Sequence, residues 1–94
     1  MLRIMEDLLP SRIFDPIHLQ EIIDSAYHTF PDEGTPIVKL GENLALAELF
    51  HGPSASFKDF ALQLFPHILR GCQTGEVITP TLICAATSGD TGQG

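Results

Sequence analysis

Two short stretches hold most of the residues whose types and spacing could do chemistry. The first is Ser56-Phe57-Lys58-Asp59-Phe60, where a lysine falls in the opening turn of an expected helix with aromatic neighbours close by. The positive end of the helix macrodipole opposes an ammonium there, and apolar neighbours add to the effect, so the amine is disposed towards the nucleophilic role that Schiff-base chemistry requires. The plain alternative is a solvent-facing helix lysine with Asp59 as a casual neighbour. The second stretch is Ser88-Gly89-Asp90-Thr91-Gly92, with two glycines, two hydroxyls and one carboxylate directly after an apolar run. Backbone N–H groups in such a turn form a nest for a phosphate or carboxylate, aided by the N-terminus of a following helix. An ordinary strand-to-helix turn has the same composition.

Other chemistries find less support. The glycine loop is not of the Walker type, because no Gly-Lys-Ser/Thr follows. Asp90-Thr91-Gly92 spells the active-site triplet of aspartic proteases, but two helices precede it and no sequence remains for a flap or the enclosing strands, so the fold argues against that reading. His51 precedes Gly52-Pro53 and either orients a group near Lys58 or caps a strand end. His18, His28 and His67 have no paired spacing of the kind that holds a metal, and no metal site is expected. Cys72 and Cys84 form no CxxC pair, which suggests neither a zinc knuckle nor a disulfide framework, and Cys84 reads as a core residue.

The elements that must position these residues begin at Asp15-Pro16, an N-cap acid followed by a proline at the first helical position. Leu19, Ile22, Ile23, Ala26, Tyr27 and Phe30 then recur at spacings of three and four, which predicts a helix over 16–30 that stops at Pro31. Pro31 to Pro36 is turn chemistry. Ile37–Leu40 and Asn43–Phe50 read as two strands separated by Gly41-Glu42. Ser56-Phe57-Lys58-Asp59 has the form of a capping box that opens a second helix at about residue 57, with Pro66 as a kink and Gly71 as a left-handed stop. After the linker Gln73-Thr74-Gly75-Glu76, Thr81–Thr87 is apolar on both alternating faces, as a strand buried in a parallel sheet would be. Residues 44–50, 57–70 and 81–87 are therefore expected to form a right-handed β-α-β unit, and the two reactive stretches would follow its two strands, on the side where open α/β sheets bind ligands.

The sequence has 94 residues, and a chain of that length buries about 64% of its unfolded surface on folding, enough for one modest core. A parallel sheet cannot cover both its faces within that length, so the expectation is an α/β piece of a larger protein. The formal charge of −7 disfavours nucleic acid, which binds clustered cations. An apolar share of 44% with 18% charged residues excludes a disordered chain. No apolar run approaches a membrane span and the first residues do not spell a signal peptide, so the reading is a soluble, cytoplasmic protein, with an organellar location left open.

Glu48-Leu49-Phe50-His51-Gly52-Pro53-Ser54-Ala55-Ser56-Phe57-Lys58-Asp59-Phe60 resembles the ELFHGPT-x-x-FKDF segment of threonine synthases. Ala86-Thr87-Ser88-Gly89-Asp90-Thr91-Gly92 resembles their ATSGDTG loop. Upstream, Leu19 to Phe30, Pro36–Leu40 and Asn43-Leu44 look like the end of that family's N-terminal domain, and the Leu-Gln-Leu-Phe-Pro-His-Ile stretch leans towards its threonine synthase-like branch. The resemblance implies a pyridoxal 5'-phosphate enzyme with the fold of the tryptophan synthase β chain, residues 1–43 closing an N-terminal domain and 44–94 opening the catalytic domain. It implies that Lys58 carries the Schiff base with the cofactor and then moves protons. It implies too that Ser88, Gly89, Asp90, Thr91 and Gly92 hold the substrate carboxylate and the cofactor's hydroxyl edge, Asp90 also serving the cofactor; an acid there fits this family and not the cysteine synthases.

The implied reaction converts O-phosphohomoserine and water to threonine and phosphate. Ser54 and Ser56 stand where Thr and Ala are common in the family, which leaves open a relative that only eliminates phosphate from phosphohydroxy amino acids. The family's glycine-rich phosphate cup and its partner for the pyridine nitrogen are not in this sequence, so the 94 residues alone are expected to be inactive. The partners expected are a small phosphorylated amino acid, the remainder of the catalytic domain and, through an uncovered apolar patch, a second copy. A reading from another class is a non-catalytic α/β module that keeps the fold for partner binding.

Overall fold

A computed structural model describes residues 1–31, 34–73 and 80–94. Asp32-Glu33 of the expected turn, and 74–79 of the linker before Pro80, lie outside the described residues. The elements in chain order are α1 (Leu2–Leu8), α2 (Pro16–Tyr27), β1 (Ile37–Lys39), β2 (Ala45–Ala47), α3 (Asp59–Leu62), α4 (Phe65–Cys72) and α5 (Asp90–Gln93). No helix among the described residues is long and apolar enough to cross a membrane.

Helix α2 organises the core, and its start is as its sequence demands. Asp15 Oδ1 accepts a hydrogen bond from the His18 N–H at 2.9 Å, satisfying one of the free donors of the first turn, and Pro16 follows in the position where its missing N–H costs nothing. Leu19, Ile22, Ile23 and Ala26 are buried along one stripe, and Phe30 is buried just beyond the helix end. Phe14, the residue before the cap, packs in one cluster with Leu19, four positions into the helix, as a hydrophobic staple does. Leu64 completes the cluster from the second half of the chain, and Leu2, Met5 and Leu9 close it from α1 and the residue after it. Helix α1 was not among the elements expected, although the spacing of those three residues carries its signal.

Tyr27 joins this core to the second half of the molecule by donating its phenol hydrogen bond to the Phe60 carbonyl oxygen, with Phe30 and Phe60 rings 4.9 Å apart beside it. Burial pushes the Tyr27 phenol above its usual value. The folded state thus holds this proton more tightly than the unfolded chain does. Its contribution to stability is complete below about pH 10 and is lost as the pH rises through the raised folded value. Urea midpoints measured across that range are expected to fall more steeply for the wild type than for Tyr27→Phe. Parallel curves would contradict the assignment.

The second expected helix is broken rather than kinked. Helix α3 ends at Leu62, Gln63 and Leu64 form a turn, and α4 starts at Phe65 with Pro66 in its first turn. A proline in a helix interior would clash with the preceding turn and lose a backbone bond, and a fresh start at residue 65 avoids both. Gly71 is not a left-handed stop. It lies inside α4, and a Cβ there would sit 2.5 Å from Phe14 Cε1, so the glycine lets the helix approach the Phe14 ring.

The mixed α/β character holds, but the parallel β-α-β unit is not formed by the described residues. Strand β2 pairs with β1, antiparallel, in the register Ile37↔Ala47, Val38↔Leu46, Lys39↔Ala45, and both strands are exposed throughout. Residues 81–87 are in no ladder, and Leu82 is 87% exposed. A strand that is apolar on both faces needs cover on each face and a neighbour at its edge, and the described residues provide neither. Cys84 is consequently exposed rather than core, as is Cys72, and both thiols are free. The radius of gyration is 15.9 Å, against about 12 Å for a compact chain of this length.

Candidate active site

The loop from Gly52 to Phe57 brings the chain to Lys58, and a single buried carboxylate holds it. Asp59 is 0% exposed. Its Oδ2 accepts the Ser54 N–H at 2.9 Å and its Oδ1 accepts the Ser54 hydroxyl at 2.6 Å. The loop lies so close that a Cβ at Gly52 would stand 2.5 Å from Asp59 Cβ, and Ala55 takes a φ of 57°, the left-handed region that non-glycine residues rarely enter. The expected capping box is thus rearranged. Ser56 Oγ does accept from the Lys58 N–H, at 3.3 Å, but Asp59 bonds to Ser54 instead of reaching back to Ser56. An acid five positions after its partner can close a turn as well as one three positions after it, because here the loop, and not a helix, sets the distance.

Lys58 is half-buried at the N-cap of α3, a helix of four residues whose dipole sums over very few peptide units. Its Nζ donates to Thr91 Oγ1 at 2.9 Å, across 33 positions of sequence. The lysine stretch and the glycine loop therefore meet. Gln63 Nε2 donates to the Gly94 carbonyl oxygen at 3.4 Å, a second and longer tie between the same two segments.

Within the glycine loop, Gly89 has a φ of 145° and opens α5. The N–H groups of Gly89 and Gly92 both donate to Thr87 Oγ1, at 3.0 and 3.1 Å. Two of the expected nest donors are thus occupied by a hydroxyl of the chain itself. Ser88 and Asp90 are exposed. Of the residues singled out in the sequence, Lys58 and Thr91 touch each other, Gly89 and Gly92 share Thr87, and Ser88 and Asp90 face solvent.

His51 orients nothing at Lys58 in the contacts observed. Its Nε2 lies 3.1 Å from Glu48 Oε1, and its ring stacks on Phe50. No group of three or more metal-ligating side chains occurs among the described residues. A hollow of about 610 Å³ lies beside α2, lined in part by Ile23, Tyr27, Phe30 and Phe60, and belongs to the core side of the molecule rather than to Lys58.

Sequence reasoning gave Gly52 and Thr87 no role of their own and read Ser54 only as a departure from the family's threonine, not as the partner of Asp59. Thr87 carried a signal, since a threonine at the first step of a tight turn readily accepts from N–H groups a few residues on.

The chain is 46% identical over 79 residues to human threonine synthase-like 1, a match that covers 79% of this chain and 10% of the relative. It is 39% identical over 93 residues to the threonine synthase of Pseudomonas aeruginosa, covering 96% of this chain and 19% of that one. With the threonine synthase of Saccharomyces cerevisiae it shares 44% identity over 87 residues, covering 79% and 17%. No protein-family model matches the chain, and no solved structure matches it. The chain belongs to the threonine synthase and threonine synthase-like family. It spans between 10% and 20% of the length of the curated relatives named here.

Proposed function

We propose that these residues are the N-terminal portion of a pyridoxal 5'-phosphate-dependent enzyme of the threonine synthase type, acting on O-phosphohomoserine and water to give threonine and phosphate. The observation that carries the reading is the hydrogen bond from Lys58 Nζ to Thr91 Oγ1, which joins the two family motifs at one place. In this reading 1–43 close an N-terminal domain and 44–94 open the catalytic one. Strand β2, with its neighbours to Phe50, and residues 81–87 become parallel strands of a larger sheet, whose remaining strands and helices cover Leu82 and Ile83.

The residues present fit part of the cofactor. Lys58 would offer an amine to its aldehyde, and Asp90 and Thr91 would serve its hydroxyl edge. Pyridoxal phosphate, when bound, supplies the electron sink for the reaction. Lys58 Nζ holds and returns the protons exchanged at the substrate's carbons. Ser88, Gly89, Asp90, Thr91 and Gly92 receive the substrate carboxylate, for which the Gly89 and Gly92 amides must exchange Thr87 Oγ1 for the carboxylate oxygen.

The full-length protein, supplied with cofactor and O-phosphohomoserine, is expected to release phosphate and threonine in equal amounts. Phosphate accompanied by a 2-oxo acid in place of threonine identifies the phospho-lyase relative. No phosphate release from any phosphohydroxy amino acid identifies the non-catalytic module.

The 94 residues by themselves are expected to be silent and to bind the cofactor weakly, because most of a cofactor's affinity in such sites comes from its phosphate and the described residues build no cradle for one. Exposed Leu82, Ile83 and Cys84 also favour self-association. A titration with pyridoxal phosphate, followed by absorbance, checks this. Stoichiometric binding at micromolar concentration with turnover would overturn it.

A further inference from the structure

Asp59 is the one charged side chain fully buried among the described residues, and it stands next to the lysine of the site. A buried carboxylate is tolerated only where its lone pairs are met by donors, and both of its oxygens are met by one residue, Ser54. That double attachment folds Gly52–Ser56 down upon the first turn of α3. The fit is tight on the loop side. Gly52 has no room for a Cβ against Asp59, Ala55 is held at a positive φ, and Gly94 approaches from the glycine loop, where a Cβ would lie 3.4 Å from Asp59 Oδ1. Asp59 therefore contacts the loop before Lys58 and approaches the end of the segment that carries Thr91.

We propose that Asp59 is a positioning residue: its carboxylate, gripped by Ser54, fixes the backbone at Lys58 and so directs the Lys58 amine towards Thr91. This deepens the reading of Lys58 as the reactive amine and rests on it. The backbone at Lys58 is held on one side by the buried Asp59 and on the other by the Lys58 N–H bond to Ser56 Oγ at 3.3 Å. What remains is the rotation of its own side chain, which the Thr91 hydroxyl stops. Removing the grip of Ser54 on Asp59 releases the loop and lets the amine leave that line without any change to Lys58 itself.

The test uses the chain's two lysines, Lys39 and Lys58, against each other. Pyridoxal 5'-phosphate is added to the full-length protein, the adduct is fixed with borohydride, and peptide mass spectrometry gives the ratio of label at Lys58 to label at Lys39, an exposed hairpin residue. Asp59→Ala is expected to lower this ratio about tenfold, the scale of losing a hydrogen bond to a charged group, with the far-UV circular dichroism intact. Asp59→Asn is expected to restore it to within about twofold, because the amide oxygen accepts from the Ser54 N–H while the amide nitrogen donates to the Ser54 hydroxyl. Ser54→Ala, which leaves Asp59 and one of its bonds in place, is expected to lower the ratio about threefold and carries the test if Asp59→Ala does not fold. An unmoved ratio in the folded Asp59→Ala protein, or in Ser54→Ala should the former not fold, overturns the proposal. So does an Asp59→Asn ratio as low as that of Asp59→Ala, because charge and not hydrogen-bond geometry would then be responsible. Equal labelling of the two lysines in the wild type is a different failure, since it removes the reactive-amine reading on which the proposal rests.

Discussion

Lys58→Ala is expected to reduce turnover of the full-length protein at least about a thousandfold and to remove the visible absorbance of bound pyridoxal phosphate. A positioned proton-transfer group alone contributes about 10²–10⁴ in rate, and this lysine is proposed to serve as the covalent anchor as well. The two roles fall on one atom, Nζ, so the variant loses both together. Lys58→Arg restores the charge but not the chemistry, because a guanidinium is neither a free amine nor a proton acceptor near neutral pH. It is expected to be as inactive as the alanine variant. Label found on Lys39, with Lys58→Ala still turning over, would sink the assignment of the site.

Phe14→Ala is expected to have the largest effect on folding. Its ring is 2% exposed, touches the open face of Gly71 and belongs to one cluster with Leu19 and Leu64, so it joins the turn after α1 to both α2 and α4. Truncating a buried phenylalanine costs about 3–5 kcal/mol, whereas a domain's whole stability is about 5–15 kcal/mol. With seven buried apolar residues among those described, the core has little to spare. The variant is expected to show no cooperative thermal transition, and Phe14→Leu, which keeps much of the volume, a transition at lower temperature. A Phe14→Ala melting curve within a few degrees of the wild type would show that the three helices do not depend on this contact.

What the sequence made legible was local. Asp15-Pro16 announced the start of α2 because a cap and a first-turn proline act within one turn, and the stripe from Leu19 to Phe30 is a pattern of one helix read against itself. Both candidate stretches were visible for the same reason. The errors share the opposite origin. Gly71 looked like a helix stop because a glycine near a helix end usually is one, yet its reason is a ring more than fifty positions earlier. Asp59 was paired with Ser56 by a helix rule, whereas the loop led it to Ser54. The strand expected at 81–87 has the composition for a sheet centre, but composition cannot supply the neighbours that make a strand. Thr91 was singled out as a residue that binds, and its contact with Lys58 appeared only when the chain was folded.

The hairpin has a consequence for how β2 can choose its neighbour. In most sheets a slip of one residue carries an apolar set from the core into water, and that loss pins the alignment. All six paired residues of β1 and β2 are exposed, so a slip here exchanges one wet face for another. The alignment Val38↔Leu46 has no buried face to hold it; it is held beyond the ladder by the connection, where the N–H groups of Leu40 and Gly41 both reach the Leu44 carbonyl oxygen, and by the Glu48 N–H on the Pro36 oxygen at the far end. A three-residue ladder with no buried face is cheap to edit. An incoming strand that buries one face of Ala45–Ala47 would impose its own alignment on β2, and the turn at Gly41 could yield without any core being unmade.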